Sequence, residues 1–206
     1  PSRRQRQMCI RDRFLPISSS AHLLLPSLLF GFNDLGLSFD IAVHAGTLIA
    51  VIYYFRKEIA LMLKSFFLSD KNLLPHRNLA ISLIVATIPI VIAGLFVKDL
   101  IEQRIFNVEH IAIANIIFAG ILLFAYLKRK DIKNLYSVTL YSALFVGVFQ
   151  SLALFPGASR SGTAITAALL LGFNLKDASK FSFMLSIPTI FGALVLLIIE
   201  MQSTLE

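Results

Sequence analysis

Five apolar runs, at residues 39–55, 79–97, 108–127, 138–155 and 181–199, approach or reach the length that a helix needs to cross a bilayer. The hydrocarbon core is ~30 Å thick, which takes about 20 helical residues. Backbone groups in lipid must be satisfied within their own segment, so runs of this kind fold as helices. The chain therefore reads as an all-α polytopic membrane protein. Two other apolar pieces behave differently: 14–32 is interrupted by Pro, Ser and Gly, and 163–173 is too short. Both read as re-entrant or broken helices, which survive at membrane depth by lining a cavity. Residues 59–68 read either as an interfacial helix or as part of a longer tilted one.

With 57% hydrophobic and 15% charged residues, a soluble domain is excluded. The net charge of +7 invites a nucleic-acid reading, but its distribution argues against one. Arg3, Arg4, Arg6, Arg11 and Arg13 against Asp12 place +4 of it in the first 13 residues, and the rest sits in short loops, where cations set topology. Residues 1–13 lack the apolar core of a signal peptide and do not resemble the rest of the chain. They are expected to be a foreign or disordered segment ahead of a single transmembrane domain at 14–206. The single Cys9 excludes an internal disulfide.

Loop charge gives an orientation. The loop at 56–78 has Arg56, Lys57, Lys64, Lys71 and Arg77 against two acids, 98–107 is balanced, and 128–137 has Lys128, Arg129, Lys130 and Lys133 against Asp131. Basic, neutral, basic places the first and third loops in the cytoplasm. Phe39 and Phe155 then lie at the outer face, and both interrupted segments are expected to dip into lipid from that side.

Between two apolar runs stands Pro156-Gly157-Ala158-Ser159-Arg160-Ser161-Gly162. An Arg near the bilayer centre costs roughly 2.5 to 3.5 kcal/mol even on lenient insertion scales, so it normally faces an anion or a wet cavity. A Pro-Gly turn, two hydroxyls, a guanidinium and a helix start together suit an oxyanion, with phosphate or diphosphate the best match. The alternative is that the glycines pack helices, the serines cap one and Arg160 snorkels to headgroups. An offset of about 141 residues lays Phe14-Leu15-Pro16-Ile17-Ser18-Ser19-Ser20 near this segment and Phe30-Gly31-Phe32-Asn33 over Leu171-Gly172-Phe173-Asn174. Paired interrupted helices point to an inverted or a parallel repeat whose site lies between the halves.

His22 would then stand opposite Arg160, where a neutral imidazole can act as nucleophile or proton donor, or merely bond a neighbouring helix. His44 is a weaker candidate for the same cavity, while His76 and His110 are expected to face solvent. Asp40 reads as a helix N-terminal charge or a cation ligand. Gln150 either reaches the pocket or bridges two helices, and Asp177 with Lys180 reads as an interfacial charge pair.

The segments Phe14 to His22 and Pro156 to Gly162 together resemble the two signatures of undecaprenyl-diphosphate phosphatases of the bacitracin-resistance type. Further similar stretches are 39–46, 150–155 and 181–188. The resemblance implies an inner-membrane bacterial hydrolase of phosphoric anhydrides that takes undecaprenyl diphosphate to the monophosphate at the periplasmic face, recycling the carrier for peptidoglycan synthesis. Its partners would be that lipid and the bilayer, and homodimerisation is left open. By position, His22, Arg160 and Ser159 would be catalytic, and Ser18, Ser19, Ser20, Ser161, Gly157 and Gly162 would bind substrate. Mg2+ or Ca2+ would be the cofactor, held by an acidic pair just before the Phe-Leu-Pro run. Here those positions are Cys9 and Arg13, and a cation at Arg13 would repel the metal. Ala164 stands where the family has Thr, between Thr163 and Thr166, and relatives continue through about two more helices. Little or no phosphatase activity is expected of a chain with these departures. The rival readings are a secondary transporter of an anionic or lipid-linked solute, which also uses interrupted repeats, and a structural membrane subunit.

Overall fold

The computed structural model describes residues 46–68, 70–102, 108–155 and 157–203. Elements are α1 (46–54), α2 (Arg56–Phe67), α3 (Leu74–Glu102), α4 (Val108–Leu127), α5 (Leu140–Ser151), α6 (Arg160–Leu170) and α7 (Leu175–Ser203). Short 3-10 turns at Lys71–Leu73, Leu135–Ser137 and Leu152–Leu154 join them. Among the described residues no strand forms, only an isolated bridge between Lys133 and Phe173. Three helical stretches, Lys71–Val97, Glu109–Leu127 and Leu175–Leu196, are long and apolar enough to cross a bilayer, so this is a membrane protein.

Backbone hydrogen bonds from Phe55 N to Val51 O and from Ile59 N to Phe55 O, each 2.9 Å, carry the ladder from α1 into α2. Residues 59–68 thus belong mainly to a longer helix. Its Glu58 Oε1 receives Lys180 Nζ of α7 at 2.8 Å. Asp177 Oδ2 instead accepts from Leu135 N at 3.2 Å and Asn174 Nδ2 at 2.8 Å. The expected Asp177–Lys180 pair is therefore replaced by two ties that fasten α7 to α2 and to the loop before α5.

The run at 138–155 is corrected too. It forms α5, 12 residues long, plus one 3-10 turn, roughly 24 Å together, and is one arm of a hairpin rather than a full crossing. Its apolarity serves protein contacts: Ala143, Val146, Gly147 and Gln150 are buried against neighbouring helices. A Cβ on Gly147 would lie 2.4 Å from the Ala86 carbonyl oxygen, so only glycine allows α5 to sit this close to α3. Thr139 and Ser142 start the arm with reciprocal caps, Ser142 N to Thr139 Oγ1 at 3.2 Å and Thr139 N to Ser142 Oγ at 2.8 Å.

The second arm, α6, is 11 residues or roughly 16 Å. It ends in a Schellman arrangement, Gly172 N to Leu169 O at 2.9 Å and Phe173 N to Ala168 O at 3.1 Å. The Gly172 carbonyl then accepts from Ile132 N at 3.0 Å and Lys133 N at 2.9 Å. Both open ends of the hairpin consequently lie beside the basic loop 128–137. The expectation that this segment dips in from the opposite side is overturned, because these bonds root it at the basic end and send only its turn toward the other. The start of α3 lies at the same end, where His76 meets Tyr136. The first and third loops thus share one face, as their charge implies.

Candidate active site

The hairpin turn sits against the start of α4, the end of that helix farthest from the basic loop. Gly157 has φ +101, and a Cβ there would lie 2.6 Å from Ile111 O and 3.0 Å from the Ala114 Cβ. Both the backbone region and the space exclude other residues. Packing accounts for this glycine. The turn then delivers Ser159 as the N-cap of α6, its Oγ accepting from Gly162 N at 3.2 Å. Ser159 and Ser161 hydroxyls lie 3.2 Å apart. Gly162 is buried inside the first turn.

Between the two serines stands Arg160, half-buried as the first residue of α6. Among the described residues its guanidinium has no hydrogen bond and no carboxylate partner. The first-turn N–H groups of a helix likewise lack intrahelical acceptors and carry the positive end of the dipole. One cation, two hydroxyls and a helix start are thus displayed together at the tip of a hairpin, a donor set whose chemistry suits a tetrahedral oxyanion. Serine capping, like the packing of Gly157, is one of the three parts of the alternative reading and is realised here.

The remaining hydroxyls of α6 point elsewhere. Thr163 Oγ1 donates to Arg160 O at 3.0 Å and Thr166 Oγ1 to Gly162 O at 2.7 Å. Ala164 is 1% exposed. The protons of the flanking threonines are spent on carbonyls, so neither replaces a hydroxyl at position 164.

Of the other sequence candidates, Gln150 bridges helices, its Nε2 donating to Thr189 Oγ1 on α7 at 3.2 Å. His76 is half-buried rather than wholly solvent-facing: Nε2 lies 3.3 Å from the Tyr136 hydroxyl and Nδ1 is buried with no partner among the described residues. The reason is the Leu135–Ser137 turn, which folds Tyr136 over the start of α3. His110 is exposed in the first turn of α4. Cys9, Arg13, Ser18, Ser19, Ser20, His22, Asp40, His44 and Pro156 lie outside the described residues. Among the described residues no group of three or more His, Cys, Asp or Glu side chains fits a metal ion.

Two site-supporting residues were not anticipated from sequence, Ser182 and Thr189. Ser182 Oγ donates to Ser161 O at 3.3 Å. Their only signal is a seven-residue spacing of polar groups within an apolar run, which puts them on one helix face.

Residues 12–206 match the family described as bacitracin resistance protein BacA. The chain belongs to that family. It is 51% identical over 178 residues to the undecaprenyl-diphosphatase of Saccharophagus degradans, 86% of this chain and 67% of that protein. It is 48% identical over 179 residues to undecaprenyl-diphosphatase 1 of Pseudoalteromonas translucida, with the same coverage of each chain. Against the undecaprenyl-diphosphatase of Aliivibrio salmonicida the identity is 47% over 179 residues. The BacA match contains the whole hairpin and its Arg160 turn.

Proposed function

We propose that this BacA-family chain is an undecaprenyl-diphosphate phosphatase, with the diphosphate head gripped at the tip of the α5–α6 hairpin. The observation that carries the reading is Arg160, without a protein partner among the described residues and flanked by Ser159 and Ser161 at the start of α6. In this role the guanidinium binds two phosphate oxygens in a plane, the hydroxyls donate to others, and the first-turn N–H groups complete the cradle. Charge spread over the equatorial oxygens of a transferring phosphoryl group is stabilised by donors fixed in this way. The bond from the terminal phosphorus to the bridging oxygen breaks, the prenyl monophosphate keeps that oxygen, and water supplies the oxygen of the released phosphate. His22 is assigned the catalytic imidazole and Ser18, Ser19 and Ser20 the neighbouring donors, on the strength of the first signature.

Mg2+ or Ca2+ is the counterion assigned to the diphosphate. The described residues offer it no ligand cluster, and no step is routed through it. The basic loops are assigned to the cytoplasm and the Arg160 turn to the periplasmic half of a bacterial inner membrane, a reading supported by their positions at opposite ends of the helices.

Inorganic phosphate release from a long-chain prenyl diphosphate in Mg2+ tests the reading. Low release is expected from the chain as it stands, rising when Cys9→Glu and Arg13→Glu restore the acidic pair and lost again on Arg160→Ala. Release that Arg160→Ala leaves unchanged overturns it, and solute exchange in liposomes with no hydrolysis would favour a carrier.

A further inference from the structure

We infer that Ser182 and Thr189 of α7 are positioning residues that set the height and facing of Arg160, an inference that rests on the diphosphate reading of the site. A serine inside a helix commonly donates to a carbonyl three or four residues back, as Ser186 does to Phe183 O at 2.7 Å. Ser182 does not. Buried at 4% exposure, it donates across 21 positions to the carbonyl of Ser161, the residue after Arg160. Two turns on, Thr189 Oγ1 donates to Leu185 O at 2.8 Å and accepts from Gln150 Nε2 at 3.2 Å. Gln150 is 1% exposed, so its amide has no water to fall back on.

The geometry is that of a clamp. Residues 182 and 189 are seven apart, on one face of α7 and roughly 10 Å from each other along its axis. Gln150 lies on the outgoing arm of the hairpin and Ser161 on the returning arm, so the two hydroxyls take hold on either side of the turn. Arg160 carries several rotatable bonds, but its Cα is fixed by this pair of ties and by Gly157 on Ile111. A bidentate contact tolerates little misplacement, and loosening either tie lets the guanidinium sample geometries that meet only one oxygen.

Farnesyl diphosphate affinity of the purified chain in nanodiscs, measured well below the unfolding midpoint and alongside that midpoint, tests this. Ser182→Ala is expected to weaken binding about three- to tenfold with little change in the midpoint, the size of one lost hydrogen bond. Thr189→Val should weaken it in the same range while also lowering the midpoint, and Thr189→Ser, which keeps the hydroxyl, should restore affinity. Variants that lower the midpoint yet bind as tightly as the parent chain would overturn the inference and leave a merely structural role. Should Thr189→Val not fold, Ser182→Ala decides alone. Failure of the parent chain itself to bind overturns the functional reading and this inference with it.

Discussion

Gly157 lies so close to Ile111 that a Cβ would come within 2.6 Å of the Ile111 carbonyl oxygen, and it does so at φ +101. The hairpin turn is thereby docked on α4 by backbone alone. Gly157→Ala meets both the strained conformation and the clash, and is expected to cost on the order of 2 kcal/mol or more. A lowered unfolding midpoint in detergent checks this, together with weakened diphosphate binding, since Arg160 is three residues on.

Ser159 both caps α6 and faces the Ser161 hydroxyl. Ser159→Ala should lose about 1 kcal/mol of stability as a cap. Ser159→Asp should keep the cap but place a negative charge beside Arg160, so that stability is retained while diphosphate affinity falls. Thermal midpoints and titrations on the same samples separate the two effects.

The Glu58–Lys180 pair gives a pH dependence. Burial raises the Glu58 carboxyl, but the Lys180 hydrogen bond, a backbone bond and the charges of Lys180 and Lys57 outweigh it, and the pKa falls below its ordinary value of 4.5. A carboxyl lowered on folding adds stability above its unfolded value, and that stability is lost as pH drops through the lower folded value. Both side chains remain over a quarter exposed, so solvent screening holds the coupling to about 1 kcal/mol or less. A double-mutant cycle with Glu58→Gln and Lys180→Met should show it at pH 7 and show progressively less of it as pH is lowered below the ordinary carboxylate value.

Hairpin direction is tested by accessibility. In a Cys9→Ser background, Lys133→Cys and Asn174→Cys should react with a membrane-impermeant maleimide from the same side, because Asn174 N donates to Lys133 O at 3.2 Å. Labelling from opposite sides would mean that α5 and α6 do not return to one face.

The helix at 108–127 and the polar turn that presents Arg160 between two serines were legible from residues alone, since an uninterrupted apolar run and a cation among hydroxyls each have few physical explanations. The run at 138–155 was not, because residues buried against protein and residues facing lipid are equally apolar. The bonds of Gly172 to Ile132 and Lys133 tell an arm from a crossing. Lys180 looked paired with Asp177 for their proximity in sequence, yet its partner is Glu58, 122 positions away. Ser182 and Thr189 were hidden for the same reason: a hydroxyl in an apolar helix declares a role only when its acceptor on another helix is known. His76 appeared solvent-facing because sequence does not show Tyr136 folding over it.

In the proposed reading Arg160, presented by the hairpin tip, holds a diphosphate head. Equilibrium binding of farnesyl diphosphate against farnesyl monophosphate to the purified chain and to Arg160→Lys and Arg160→Ala tests it most directly. At least tenfold preference for the diphosphate is expected, reduced in Arg160→Lys, which keeps charge but loses the planar fork, and abolished in Arg160→Ala. Equal affinity of the parent chain and Arg160→Ala for the diphosphate would contradict it.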